Sequence, residues 1–194
     1  MGERRKQALE KFHRDSIMDA AGELFEKKGI DGTTMDDIAK LADYSKSTIY
    51  VYFKSKEEIY NSILIKYADM LAEEISDAAS GAGSFSESFI SVCDSVYSFK
   101  CRFPDYFDGI SKGVRDTTVI DEEILSLIAR GKAEKVIAED VDAGQLALFL
   151  WSGICGMVNG VSCRDDDFKK RYGITKEKYL KGAYKRFYIS LIRG

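Results

Sequence analysis

The sequence contains one proline, one histidine and one tryptophan among its 194 residues. Proline interrupts helices and usually makes up about 5% of a protein, so its near absence favours helix throughout. A single histidine cannot build a zinc site of two histidines, and a catalytic triad would have to use His13. His13 lies among charged residues on a predicted helix, where we expect a solvated side chain. We therefore expect no catalytic residue, no metal and no cofactor.

The cysteines form no C-x-x-C pair, and none has a histidine nearby. Residues 1–15 are charged and contain no apolar stretch, so we expect no signal peptide and a cytoplasmic location. In that compartment cysteines are expected to be reduced thiols in or near a core, and a redox switch is the alternative. The four residues are Cys93, Cys101, Cys155 and Cys163.

The overall charge does not suggest a nucleic-acid binder. The chain has 29 basic and 32 acidic side chains and a net charge of −3, whereas DNA-binding domains often have a pI above about 9. Any DNA-binding surface must therefore be a local patch.

One segment is free of charge and long enough to span a bilayer. Residues 143–163 contain no charged side chain, but they include four glycines and four polar residues. A helix buried in a protein interface has the same composition, and we favour that interpretation over a membrane span.

Apolar residues recur at three- and four-residue steps almost everywhere, and no alternating strand pattern competes with them. The fold is predicted to be all-α, with Gly29 as a C-terminal cap and Pro104 as a helix stop. A short piece at residues 105–113 is helical or irregular, and residues 164–173 form a polar loop. The predicted helices occupy residues 12–28, 35–42, 46–52, 56–79, 85–101, 121–139, 143–163 and 175–192.

Two short helices joined by a three-residue turn indicate a helix-turn-helix motif. Thr34 to Asp37 forms a capping box, Ser45 caps the second helix, and a further capping box begins at Ser55. Ile49 and Phe53 lie four residues apart on the inward face of the second helix. Residues 44–56 contain three lysines and no acidic side chain, so the positive charge lies on the segment that would face DNA.

Several small polar side chains around this motif are suited to phosphate oxygens, and Lys56 begins the long helix, where free backbone N–H groups also favour a phosphate. Thr34 and Ser45 would cap helices with or without DNA, so a helical interaction module is the alternative. The candidate phosphate contacts are Thr34, Ser45, Ser47, Thr48, Tyr50 and Tyr52, together with Lys46 and Lys56.

Three motifs occur in order: IMDAAGELFEKKG at residues 17–29, TTMDDIA at 33–39 and SKSTIYVYFKSKEEI at 45–59. Together they closely resemble the TetR family of transcriptional regulators. The resemblance implies a three-helix DNA-binding domain at residues 1–55, linked by a long helix at 56–79. Residues 56–194 would then form a ligand-binding and dimerisation domain. This chain has Asp43 and Tyr44 where the family usually has glycine and valine, and Asp tolerates the left-handed turn.

The resemblance also implies a homodimer on a pseudo-palindromic operator in double-stranded DNA. Thr34, Thr48, Tyr52 and Lys56 would hold phosphates, and Lys46, Ser47 and Tyr50 would lie nearest the base edges. The dimer would form through residues 143–163 and 175–192.

A small-molecule effector, apolar or aromatic, would then release a repressor from DNA by tilting the long helix. Aromatic residues at helical spacing are more often plain core than ligand contacts, and a regulator without a small-molecule ligand is a further alternative. The candidate ligand contacts are Phe89, Tyr97, Phe103, Phe107 and Trp151.

Overall fold

The computed structural model describes residues 2–81, 83–113, 118–161 and 168–192, and in these ranges it has ten helices and no strand. The predicted all-α fold is confirmed. The chain divides into two compact units, residues 1–66 and 67–194, and α4 contributes to both. The helices are α1 (Gly2–Lys28), α2 (Met35–Ala42), α3 (Lys46–Tyr52), α4 (Lys56–Ser80), α5 (Phe85–Arg102), α6 (Pro104–Ser111), α7 (Thr118–Ala133), α8 (Ala143–Asn159), α9 (Phe168–Tyr172) and α10 (Lys176–Ile192).

The helices of the first unit begin and end where local chemistry predicts. Gly29 follows α1 with φ of 74°, in the left-handed region that suits glycine. Thr34 and Asp37 form a reciprocal capping box at the start of α2. Asp43 ends α2 with φ of 58°, and the Ser45 side chain accepts the Thr48 N–H at the start of α3. The turn between α2 and α3 therefore survives without a glycine.

A compact core joins α1, α2, α3 and the first turns of α4. Its central side chains are almost completely buried, including the predicted inward pair on α3. Burying such side chains is the main source of stability for three short helices that would not persist alone. The core residues are Ile17, Ala21, Ile38, Ile49, Phe53 and Ile59.

The second unit packs its helices around α5. Ser84 and Glu87 form a capping box at the start of α5, and Pro104 ends α5 by occupying the first turn of α6. Tyr184 of α10 is fully buried, and its hydroxyl donates to the Cys93 carbonyl at 3.2 Å. α5 is therefore tied to α10 by both packing and a hydrogen bond.

A buried cation holds the end of α8. The Lys100 ammonium donates to the Val158 carbonyl at 3.1 Å and to Asn159 Oδ1 at 3.0 Å. Burial lowers the pKa of Lys100 because it penalises the charged form. A positive charge is favourable at this end of a helix, where carbonyls lack intrahelical partners.

Several predicted boundaries in the second unit are wrong. α7 ends at Ala133 rather than at residue 139, because Lys135 adopts φ of 58° and the chain turns back so that Ile137 packs against Gly131. The predicted polar loop at 164–173 contains α9, whose Phe168 is buried against Tyr172 and Tyr179. The early end of α7 and the presence of α9 both depend on tertiary contacts, which the helical periodicity of the sequence does not reveal.

The cysteines differ from the expectation of four thiols. Cys93 and Cys155 are free and buried, and burial raises the pKa of Cys155 to about 12. Cys101 is instead disulfide-bonded, and Cys163 lies outside the described residues.

None of the helices in the described ranges combines the length and the apolar character needed to cross a membrane. The helix predicted at residues 143–163 is shorter than expected, because α8 ends at Asn159 and has 17 residues.

Candidate nucleic-acid interface

The outward face of α3 presents the residues predicted to lie nearest the bases. Lys46, Ser47 and Tyr50 are all exposed, while Ile49 beneath them is fully buried. α3 is therefore anchored by its inner face and free on its outer face, as a helix that enters a major groove must be.

Lys46 has an acidic neighbour on α2. Its ammonium lies 3.0 Å from the Asp36 carboxylate, and this hydrogen bond raises the pKa of Lys46. Both side chains are exposed, and a surface ion pair of this kind contributes little to stability. Lys46 can therefore exchange Asp36 for a phosphate or a base edge at small cost.

Three hydroxyl groups lie together at the start of α3. Ser45 Oγ is 2.8 Å from Ser47 Oγ and 2.7 Å from Thr48 Oγ1. Ser45 and Ser47 are exposed and Thr48 is half-buried. Hydroxyl rotors both donate and accept, so this cluster can turn its donors toward phosphate oxygens.

Thr34 is exposed but engaged in the cap of α2. Its hydroxyl donates to Asp37 Oδ2 at 2.8 Å, and Lys28 lies 2.7 Å from the same carboxylate. The hydrogen bond from Lys28, followed by those from Thr34, lowers the pKa of Asp37 to about 2. The cap is therefore ionised at neutral pH.

The sequence predicts that Lys56 contacts a DNA phosphate, but in the structure its ammonium is bonded to carbonyls of a loop. Its ammonium donates to the carbonyls of Ile30 at 2.7 Å and Thr33 at 3.1 Å, and also to that of Asp31 at 3.4 Å. These bonds hold the loop between α1 and α2 against the start of α4. The side chain thus has a structural role, and its contact with phosphate stays a prediction.

His13 is not solvated, contrary to expectation. It is half-buried, and its Nδ1 is hydrogen-bonded to the Tyr44 hydroxyl at 2.6 Å. The Tyr52 ring lies 5.5 Å away, centroid to centroid. Tyr44, which replaces a small residue in the turn, therefore fastens the turn to α1. The partner is 31 residues away, beyond the reach of helical periodicity.

Arg14 joins the end of α3 to α1. Its guanidinium lies 4.1 Å from the centroid of the Phe53 ring and donates to the Tyr52 carbonyl at 2.8 Å. This stacked contact is a cation–π interaction. It fixes the C-terminal end of α3, which would otherwise fray.

Val51 is a residue that the sequence reasoning did not select. It is 77% exposed on α3, a larger fraction than for any other large apolar side chain in the described ranges. The available signal was its position four residues after Ser47, on the same outward face. A single exposed apolar side chain is common on protein surfaces, and this one lies on the same face of the helix as Ser47.

The five candidate ligand contacts do not form one cluster. Phe89 packs with Phe85, Phe187 and Tyr188, whereas Phe103 packs with Tyr67 and Phe99. Phe89 and Phe107 are fully buried, and Tyr97 and Trp151 are half-buried.

A cavity of about 370 Å³ lies elsewhere in the second unit, between α4 and α7. Its lining includes four carboxylates, from Asp69, Glu73, Glu122 and Glu123, and none of the five aromatic residues.

A family model described as bacterial regulatory proteins of the tetR family matches residues 17–63. These residues include α2, α3 and their caps. Over 47 residues the chain is 49% identical to the biofilm operon icaADBC HTH-type negative transcriptional regulator IcaR of Staphylococcus epidermidis, and over 47 residues it is 51% identical to IcaR of Staphylococcus aureus. Residues 17–63 therefore carry the DNA-binding domain of the TetR family of transcriptional regulators.

Solved structures of other regulators share the fold over most of the chain. A TetR/AcrR-family regulator from Thermobifida fusca superposes with a TM-score of 0.68 at 23% identity, covering 90% of this chain and 96% of that one. The fatty acid degradation regulator FadR from Bacillus halodurans gives 0.62 at 18% identity, covering 89% and 92%. At these identities the likeness shows the TetR fold alone.

The alignments with the IcaR proteins cover 24% of this chain and 25% of each relative. The biofilm operon printed in the names of the IcaR proteins is therefore attributed to those proteins and not to this chain. The family and these relatives are transcriptional regulators and not enzymes, which agrees with the expectation of no catalytic site.

Proposed function

We propose that this protein is a DNA-binding transcriptional repressor that binds a pseudo-palindromic operator as a homodimer and is released by a small effector. The observation that carries the proposal is the outward face of α3, which exposes Lys46, Ser47 and Tyr50 over a fully buried anchor, Ile49. The name of the IcaR relatives, a negative regulator, supports repression.

The proposed contacts divide into two kinds. Lys46, Ser47 and Tyr50 would reach base edges, and the surrounding groups would hold phosphates. The phosphate set consists of Thr34, Ser45, Thr48, Tyr52 and Lys56. For Lys56 the backbone N–H groups at the start of α4 would supply the contact while its ammonium keeps the α1–α2 loop in place.

A mobility-shift measurement tests the proposal. The wild-type protein is expected to shift a duplex from upstream of its own gene, or one selected from a random pool, with affinity that falls steeply as salt rises. Replacing Lys46 and Tyr50 together with alanine removes two predicted base contacts, each typically contributing about 1–3 kcal/mol, so a loss of about 100-fold in affinity is expected.

The matched control replaces Lys66 and Tyr172 with alanine, a lysine and a tyrosine that are also exposed but lie outside α3. This variant is expected to bind like the wild type. If the wild type selects no duplex from the pool, the chain is a helical interaction module instead.

Val51 is proposed to contact the methyl group of a thymine, the apolar feature of the major groove. Burying one methyl-sized group contributes about 0.8 kcal/mol, which corresponds to about fourfold in Kd. Replacing single thymines of the selected duplex with deoxyuridine, which removes only the methyl, is expected to weaken wild-type binding about fourfold at one position. Fluorescence anisotropy measures the change.

The Val51→Ala variant provides the control for this contact. It is expected to bind the unmodified duplex less tightly and to be insensitive to deoxyuridine at that same position. If the affinity of Val51→Ala still falls about fourfold when that thymine is replaced with deoxyuridine, another side chain contacts the methyl group.

The dimer is proposed to form through residues 143–163 and 175–192. Within them, α8 exposes an uncharged stripe that contains Leu148, Phe149, Ser152 and Gly156. The Phe149 ring lies 5.4 Å from Phe187 of α10, so the two helices form one continuous face. An exposed apolar face of this kind supports the proposal of a subunit interface there.

The effector is proposed to be a small apolar or aromatic compound bound in the second unit by some of Phe89, Tyr97, Phe103, Phe107 and Trp151. Its binding would favour a state in which α4, which contributes to both units, is tilted and DNA is released. A coupling of about 1–3 kcal/mol is enough for a switch. A compound that binds this unit without changing the affinity for DNA would not be the effector.

A further inference from the structure

The first three turns of α1 are exposed along their whole length. Every residue from 2 to 12 is exposed, so this part of the helix packs against nothing in the described chain. An isolated helix of this length is marginal in water, and its solvent-facing turns contribute nothing to the core. A helical segment whose side chains are all exposed is available to bind a partner outside the chain.

This exposed stretch is basic. Between residues 4 and 11 it carries four basic side chains and one acidic side chain, for a net charge of +3, in a chain whose net charge is −3. Among the described residues, none of the four basic side chains forms an ion pair or a side-chain hydrogen bond. The four are Arg4, Arg5, Lys6 and Lys11.

The position of the stretch follows from the residues that come next. His13 is bonded to Tyr44 in the turn before α3, and Arg14 is bonded to Tyr52 at the end of α3. α1 therefore passes directly beside α3, and residues 2–12 continue beyond it for about 16 Å at 1.5 Å per residue. Lys6 lies seven residues before His13 and so shares its face of the helix.

We propose that residues 2–12 form a basic arm that binds DNA phosphates flanking the sequence read by α3. The arm is continuous with the proposed DNA-binding face, and its charge is complementary to a duplex that carries one negative charge per about 1.7 Å. This inference rests on the proposed function. The arm contacts no base edge, so it raises the affinity for DNA and the salt dependence of binding without changing the preference for a sequence.

Neutralising the arm tests the proposal. The full-length variant Arg4→Gln, Arg5→Gln, Lys6→Gln is compared with the wild type on one selected duplex, by fluorescence anisotropy over a series of salt concentrations. Each phosphate contact contributes about 0.9 to the slope of log Kd against log salt. We expect the slope to fall by about 1 to 3 for each protomer and the base preference to stay the same.

A matched control removes the same charge elsewhere. Lys169, Lys170 and Arg171 of α9 are exposed, and their replacement with glutamine is expected to leave the salt slope unchanged. The conservative variant Arg4→Lys, Arg5→Lys keeps the charge and is expected to keep the slope. Circular dichroism checks that all variants are folded.

The outcomes separate this inference from the proposed function. If the wild type binds no duplex, the proposed function fails. If it binds but the arm variant keeps the wild-type slope, the arm does not contact phosphates and the proposal is wrong. Leu9 and Phe12 of the arm are also exposed, so a change in oligomeric state with no change in DNA affinity would instead indicate a contact with a second copy.

Discussion

Replacing Leu148 with glutamate is expected to convert the proposed dimer to a monomer. Leu148 is 70% exposed on α8, so the folded monomer tolerates a charged side chain there. In the proposed interface the same carboxylate would be buried without a partner, which is costly. A monomer carries one DNA-binding domain and cannot bind both half-sites of the operator at once. Its affinity for DNA is therefore expected to fall by a factor on the order of 100 or more.

Light scattering coupled to size exclusion measures the change in mass. The control is Leu125→Glu on α7, which lies on the surface of the same unit and outside the proposed face. It is expected to leave the dimer intact. A Leu148→Glu variant that is still a dimer would place the interface elsewhere.

Replacing Tyr184 with alanine is expected to destabilise the protein by about 3–5 kcal/mol, the usual cost of truncating a large buried aromatic side chain. Tyr184 is fully buried between α10 and α5, and burial raises the pKa of its phenol. Its removal would leave a cavity beside Cys93 and the loss of a hydrogen bond. Urea unfolding at one fixed protein concentration measures the change, because the stability of a dimer depends on concentration.

Two further variants separate the parts of this effect. Tyr184→Phe keeps the ring and loses only the hydroxyl, so a cost of about 0.5–1.5 kcal/mol is expected. Tyr172→Ala removes a tyrosine ring that is 58% exposed, and a cost below about 1 kcal/mol is expected. If Tyr184→Ala costs no more than Tyr172→Ala, the packing around α10 contributes little to stability.

Most of the helix-turn-helix could be predicted because its signals are local. Gly29, the Thr34–Asp37 capping box and Ser45 act within three or four residues along the chain, and the structure shows each of them in place. The inward pair Ile49 and Phe53 follows from helical spacing alone and is buried as expected. The family relationship could be seen for the same reason, since it rests on these motifs.

The capping box predicted at Ser55 is only half formed. The Ser55 hydroxyl accepts the Glu58 N–H at 3.2 Å, but the Glu58 carboxylate accepts the Lys54 N–H at 2.7 Å instead of returning to Ser55. A sequence pattern identifies the residues able to cap a helix. The path of the chain that enters the helix decides which N–H group each carboxylate reaches.

The sequence by itself determined that the chain is helical and where a DNA-binding motif lies, because periodicity and capping are interactions between near neighbours. Tertiary structure alone decided that His13 fastens Tyr44 and that the Lys56 ammonium holds a loop. It also decided that the basic start of α1 has no packing partner within the described chain. Each of these depends on residues far apart in sequence, whose approach is set by how the helices pack.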